Sequence, residues 1–144
     1  MAIRKESEGF GMPWEEAFGY AQAVKVGDTI YVSGQLSHDD AGNILGPPPL
    51  DASGRITDAG NMELQMRQTY ANAARILARF GATLDNVVEE VIYVTHMEAA
   101  FAVAGPVRKA AHGTEKPAVA STIVAIDRLA LPTQLIEVRF VARV

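Results

Sequence analysis

The sequence predicts an α+β fold in which a single mixed sheet carries two helices on one of its faces. Runs rich in β-branched residues alternate with two segments of helical period, in the order two strands, helix, strand, helix, two strands. The last run alternates apolar and charged side chains, as a strand with one covered face does. The chain has 144 residues, 49% of them hydrophobic, so residues 1–144 are predicted to form a single domain.

The first half of the chain contains a predicted hairpin and a long loop. Val24 and Val26 precede the turn pair Gly27-Asp28, and a β-branched and aromatic run follows over residues 29–36. Residues 37–60 then contain Pro47, Pro48, Pro49 and several Gly, Asp and Asn residues, which predicts a loop with at most a short edge strand. A loop of this length is uncommon unless it has a function, so we expect it to border a ligand cleft.

Two helices and three strands are predicted beyond this loop. Residues 62–80 repeat apolar side chains at steps of three and four and are followed by Gly81, which predicts a helix. A weaker helical pattern covers about residues 98–112, where Pro106 is expected to cause a kink or an interruption. The stretch NVVEEVIYVTHM and residues 118–126 and 133–144 are predicted to be strands.

The last predicted strand should present one face to the core and one face that no helix covers. The core set contains every second residue from Gln134 to Val144. The other set mixes apolar and charged side chains, which suits either a solvated sheet face or a subunit interface with polar clefts. Its members are Leu135, Glu137, Arg139, Val141 and Arg143.

Composition excludes several classes of function. Thirteen Lys and Arg against 17 Asp and Glu give a net charge of -4 without runs of one sign, which argues against nucleic-acid or membrane-surface binding. The absence of Cys excludes disulfides and thiolate chemistry. No apolar stretch approaches the ~20 residues of a membrane span, and we expect a cytoplasmic protein. Adjacent loop residues His38, Asp39 and Asp40 are a weak metal pattern, so neither metal nor cofactor is predicted.

Three separated blocks carry a family resemblance: GYAQAVKVGDTIYVSGQLS, GATLDNVVEEVIYVTHM and PAVASTIVAIDRLALPTQLIEVRFVA. In order and spacing they resemble the YjgF or Rid family of reactive-intermediate deaminases, whose members are also called endoribonuclease L-PSP-like. The resemblance covers about residues 18–144. It implies a chorismate-mutase-like fold, assembled as a homotrimer with small-molecule clefts between subunits.

The resemblance also implies which residues form the site. In the deaminase branch, enamines and imines are hydrolysed to a 2-oxo acid and ammonia. A glutamate that positions water falls on Glu137, a cleft tyrosine on Tyr20, a ligand-contacting glycine on Gly34 and an asparagine on Gly105. A family arginine binds the substrate carboxylate in a bidentate pair, and a count without gaps places that position on Ser121.

A serine in place of this arginine would leave the cleft without its carboxylate anchor. Loss of a charge-assisted pair costs ~1.5 to 3 kcal/mol, so 2-aminoacrylate and similar imines should be poor substrates. Thr122, Arg128, Arg139 and Arg143 are candidates to compensate, although Arg139 suits an interface ion pair better than a ligand clamp.

Three functions remain open from the sequence. The first is hydrolysis of an enamine, imine or related small metabolite. The second is binding of a small ligand or regulation by a trimer without turnover, which the missing arginine favours. The third is an endoribonuclease or translation inhibitor, which the acidic composition disfavours because RNA binding requires phosphate neutralisation.

Overall fold

The fold is a six-stranded mixed sheet with its two long helices on one face. The structure, a computed structural model, describes all residues from Met1 to Val144. The strands occur along the sheet in the order β1-β2-β3-β6-β4-β5, and every neighbouring pair is antiparallel except β4 and β5. The strands are β1 (Glu6–Glu8), β2 (Ala23–Val26), β3 (Thr29–Gln35), β4 (Val87–Val94), β5 (Ala120–Ala125) and β6 (Ile136–Arg143).

Three α-helices accompany the sheet, together with one 3-10 turn at Leu84–Asn86. They are α1 (Pro13–Phe18), α2 (Met62–Ala78) and α3 (Met97–His112). The long helices α2 and α3 pack over the sheet and close one core of 22 buried residues. No helix in the chain is long and apolar enough to cross a membrane.

The prediction of a mixed sheet with two helices on one face is confirmed, with two additional elements. Strand β1 and the six-residue helix α1 precede the predicted hairpin. They were missed because three residues are too few for a periodic signal and β1 is held by pairing with β2. The predicted interruption at Pro106 is wrong, because α3 continues through it. Pro106 lies on the exposed side of α3, where a carbonyl that loses its partner can turn to water.

Strand β6 is paired on both sides and separates the two faces of the sheet. Its side chains alternate between buried and more exposed from Ile136 to Arg143, as the sequence predicts. Leu135 is the exception, because it lies before the strand and is fully buried in the core rather than on the uncovered face. Helices α2 and α3 cover the Ile136 face, and we call the other side, which carries Glu137 and Arg139, the open face.

A buried ionic cluster joins both long helices to β4 and β5. Glu90 of β4 is fully buried, and its Oε1 accepts hydrogen bonds from Arg108 Nε at 2.6 Å and from Ser121 Oγ at 2.7 Å. Its Oε2 accepts one from the hydroxyl of Tyr70 at 2.6 Å. Burial raises the pKa of Tyr70, and the Glu90 carboxylate raises it further, so the phenol remains a donor. Four elements therefore share one buried carboxylate.

We expect Arg108→Met to destabilise the fold by about 3 kcal/mol, because it leaves the buried Glu90 carboxylate without its counter-charge while keeping a long apolar side chain. The matched control is Arg67→Met, which removes a half-exposed pair with Glu63 and should cost less than about 1 kcal/mol. Urea unfolding at one fixed protein concentration measures both. Equal losses in the two variants would contradict a special role for the cluster.

Candidate functional site

A pocket of about 370 Å³ opens beside Glu137, at the junction of β3, β6 and the amino-terminal helix α1. This volume falls in the range of small-ligand sites. Most of its lining is apolar, and no Lys, Arg or His belongs to it. The lining residues are Trp14, Phe18, Tyr20, Ser33, Gly34, Leu36, Ala130, Leu131, Gln134 and Glu137.

The Glu137 carboxylate is held in this pocket by a neighbouring amide. Gln134 Nε2 donates to Glu137 Oε2 at 3.0 Å, and Gln134 Oε1 in turn accepts from the backbone N–H of Leu131 at 2.9 Å. The amide is therefore fixed at both ends. With no cation in the lining, the carboxylate keeps lone pairs available to accept a proton from a bound water or ligand.

A β-bulge brings the backbone of Gly34 against this carboxylate. Val32 pairs with Phe140 and Gln35 with Val138, so Ser33 and Gly34 together oppose one residue of β6. A Cβ on Gly34 would lie 2.6 Å from Glu137 Cδ and collide with Oε1. A larger residue at position 34 would therefore displace the Glu137 carboxylate from its place beside the backbone.

Tyr20 provides the second polar group of the pocket. Burial raises the pKa of its phenol, and the negative charges of Glu15 and Glu137 raise it further. The hydroxyl therefore remains protonated at neutral pH and can donate a hydrogen bond to a ligand. Its position suits the role that the sequence predicts for it.

The aromatic wall of the pocket depends on how α1 is anchored. Glu15 Oε2 accepts from the backbone N–H groups of Phe10 and Met12 and from Gln22 Nε2. Gln22 Oε1 then accepts from Gln35 Nε2 at 2.8 Å within β3. This chain of bonds ties α1 to the sheet and so places Trp14 and Phe18 at the pocket mouth. Phe18 is 74% exposed there.

The structure therefore brings together three of the predicted residues, Tyr20, Gly34 and Glu137. It also adds Trp14, Phe18 and Gln134, the last of which the sequence assigns to the core. Gln134 is indeed buried, yet its amide reaches Glu137. Its position three residues before a motif glutamate was the available signal.

Ser121 does not line the pocket of its own chain. Its hydroxyl belongs to the cluster with Glu90 and Arg108, on the helix-covered side of the sheet. Glu137 projects from the open face, with Tyr93 as its register partner. A role of Ser121 in a cleft between subunits stays a prediction.

Gly105 is also outside the pocket. It lies in α3 with open space around its Cα, beside Pro106 and Lys109. In the single subunit α3 and the Glu137 pocket are on opposite sides of the sheet, so Gly105 does not contribute to the pocket of its own chain.

The other predicted residues lie on or near the open face but outside the pocket lining. Thr122 of β5 is the register partner of Val91 of β4, and Val91 is the register partner of Arg139 of β6. The Arg139 guanidinium donates to Glu89 at 3.0 Å and that of Arg143 to Asp28 at 2.7 Å. Both therefore have carboxylate partners already.

His38, which belongs to the weak metal pattern of the loop, is a packing residue in the structure. His38 is buried, with its ring edge against Phe10 and Trp14 and its Nδ1 at 2.8 Å from the carbonyl oxygen of Asp39. No group of three or more His, Cys, Asp or Glu side chains converges in the chain to hold a metal ion.

The fold and pocket define an α+β protein with a ligand-sized, mainly apolar pocket beside an uncovered sheet face. A family model described as Endoribonuclease L-PSP matches residues 14–144. A RutC family protein of Pyrococcus abyssi is 31% identical over 124 residues, which are 85% of this chain and 84% of that protein.

Solved structures agree with these matches. A member of the YjgF/YER057c/UK114 family from Mycobacterium tuberculosis has a TM-score of 0.76 at 25% identity, covering 98% of this chain and 100% of its own. RidA from an Antarctic Psychrobacter has a TM-score of 0.72 at 23% identity, covering 100% and 99% of the two chains, and so shares the fold. The chain belongs to the YjgF/RutC family.

We expect Gly34→Ala to displace the Glu137 carboxylate and break its bond to Gln134, with a stability loss of only about 1 kcal/mol because the flexible glutamate side chain can move away. Gly105→Ala is the matched control, because the same methyl group meets nothing within 4 Å and the helix gains about 0.5 to 1 kcal/mol. Thermal unfolding and the side-chain amide NMR signals of Gln134 report the two effects. An unmoved Gln134 signal in Gly34→Ala would refute the close approach.

Proposed function

We propose that the Glu137 pocket binds a small metabolite containing a C=N bond or an enamine and hydrolyses it to a carbonyl compound and ammonia. The observation that carries the proposal is the Glu137 carboxylate, fixed by Gln134 against the backbone of Gly34 in a pocket with a mainly apolar wall. Membership of the YjgF/RutC family supports the same reaction class.

The proposed chemistry uses one carboxylate as base and then as acid. Glu137 accepts a proton from a bound water while the oxygen attacks the imine carbon, giving a carbinolamine. The proton returns to nitrogen and completes the amino group of the carbinolamine. Glu137 then transfers the carbinolamine hydroxyl proton to the same nitrogen, and the C–N bond breaks so that ammonia leaves as the carbonyl group forms. An enamine reaches the imine by protonation at carbon. Proton transfer by a positioned group of this kind contributes roughly 10²- to 10⁴-fold.

The charge of the pocket supports substrates other than 2-aminoacrylate. No guanidinium or ammonium belongs to its lining, and Ser121 is held by Glu90 and Arg108 on the other side of the sheet. A substrate carboxylate beside Glu137 would meet a like charge without a counter-charge from this chain. We therefore favour a neutral or cationic imine with an apolar body that packs against Trp14 and Phe18.

Assembly is part of the proposal. The open face exposes Tyr31 and Val124, which are 53% and 37% accessible, among charged side chains. We propose that three open faces meet in a homotrimer and that the Glu137 pocket becomes a cleft between subunits. A mixed apolar and polar surface of this kind is typical of subunit interfaces.

The absence of a cationic group in the lining also favours a second candidate, binding of a small ligand without turnover. An endoribonuclease function has less support, because the chain has a net charge of -4. Seven of its arginines pair with carboxylates, which leaves little basic surface for a phosphate backbone.

The activity is tested by ammonia release from imines generated in solution, using carboxylated and uncarboxylated members of one series. We expect the wild-type protein to accelerate hydrolysis of uncarboxylated imines and Glu137→Gln to lose about 100-fold. Glu63→Gln is the control, because this exposed carboxylate pairs with Arg67 on α2, away from the pocket and the open face. Ligand binding without any turnover would select the second candidate, and unchanged turnover in Glu137→Gln would reject the role of Glu137.

Assembly is tested by sedimentation at micromolar concentration, where we expect a trimer. Val124→Lys introduces charges into the proposed interface and should shift the protein towards monomer. Phe101→Lys is the control, since Phe101 is 74% exposed on α3, away from the open face. A wild-type monomer would contradict the assembly.

A further inference from the structure

A second cavity, larger than the Glu137 pocket and made of different residues, lies at the carboxyl end of β4. Its volume is about 680 Å³. The long loop between β3 and α2 forms one wall, the β5–β6 loop forms another, and the start of α3 forms its floor. Its polar side chains are Ser53, Arg55, Thr95, His96, Asp127 and Arg128.

The long loop lines this second cavity, and none of its residues 37–60 lines the Glu137 pocket of the same chain. Residues 53–56 of that loop line the second cavity, and Asp51 shapes this stretch from behind. Asp51 Oδ1 accepts from the backbone N–H groups of Ser53 and Arg55 and from the Ser53 hydroxyl. The carboxylate therefore fixes the turn that carries Arg55.

The two arginines of this cavity differ from every other arginine in the chain. Of the nine in the sequence, only Arg55 and Arg128 form no ion pair with a carboxylate. The Arg128 side chain makes one hydrogen bond, in which Nε donates to the carbonyl oxygen of Leu129 over a long distance of 3.5 Å. Two unpaired guanidinium groups thus come from loops far apart in sequence to one cavity.

The charge of the remaining lining agrees with an anionic ligand. Asp127 is its only carboxylate, and it forms no ion pair in the chain, so two positive side chains face one negative one. The Thr95 hydroxyl lies 2.8 Å from His96 Nδ1, and the Ser53 hydroxyl is already bonded to Asp51, so the guanidinium groups are the free donors of the lining.

The first turn of α3 adds a favourable dipole to this arrangement. His96 is the N-cap residue, and its side chain makes no capping hydrogen bond. The N–H groups of the first turn are therefore not capped by that side chain and favour negative charge in front of them. This contribution supports the two guanidinium groups and would not define a site without them.

We propose that the second cavity binds a small metabolite through its phosphate group, with Arg55 and Arg128 as the main donors. Guanidinium forks match phosphate oxygens, and two forks in one cavity suit a tetrahedral dianion better than a planar carboxylate. The volume leaves room for an organic body beyond the phosphate. The site is independent of Glu137 and of the proposed hydrolysis.

The test is an NMR titration of the full chain with inorganic phosphate at constant ionic strength set by chloride. We expect the backbone amides of Ser53, Thr95 and His96 to shift and to saturate together. Arg55→Gln and Arg128→Gln should each weaken phosphate by about tenfold, because each removes a charge-assisted pair. Both side chains are exposed, so the variants should stay folded.

Arg67→Gln is the matched control, since this arginine is paired with Glu63 on α2 and should leave phosphate binding unchanged. Acetate forms the comparison arm, and we expect it to bind more weakly than phosphate. Equal phosphate affinity in the wild type and both cavity variants would overturn the site. Acetate that binds as tightly as phosphate would overturn the assignment to phosphate.

Discussion

The pairing of β6 with strands on both sides is the constraint from which the rest of the molecule follows. Its alternation buries Ile136, Val138 and Phe140 beneath the two long helices and directs Glu137 to the open face. Because the side chains of a strand alternate with a period of two residues, each residue of β6 belongs either to the core or to the open face that carries Glu137. A shift of register by one residue would place the carboxylate in the core, so the hydrophobic face that stabilises the sheet also fixes the position of Glu137.

The Glu137 pocket depends on a departure from that regularity. The bulge in β3 gives the backbone of Gly34 its approach to the carboxylate, and Gln134, placed before β6 begins, holds the carboxylate from the other side. A regular pairing of β3 with β6 would provide neither the approach of Gly34 nor the contact from Gln134. The pocket is therefore located by the sheet but shaped by the two places where β3 and β6 are not regular, as is common for bulges beside functional sites.

The sequence predicted what periodicity and turn chemistry determine: the hairpin, the helix from Met62, and the faces of β6. Tyr20, Gly34 and Glu137 were predicted from the family resemblance, and the structure brings them to one pocket. Tertiary contacts could not be predicted. Glu90 binds the Ser121 hydroxyl in the buried cluster, and a three-residue strand such as β1 exists only through its pairing with β2. No local pattern carries either fact.

The distribution of charge gives the two cavities opposite preferences. The Glu137 pocket contains a carboxylate and no cation, whereas the second cavity contains the two guanidinium groups that the rest of the chain leaves unpaired. Since Arg139 and Arg143 are each paired already, moving either to the Glu137 pocket would leave Glu89 or Asp28 unpaired. We therefore expect an anionic ligand to interact more favourably with the β4 end of the sheet than with Glu137. In a ligand that carries both groups, the imine would favour the Glu137 pocket and the phosphate would favour the second cavity of the same subunit.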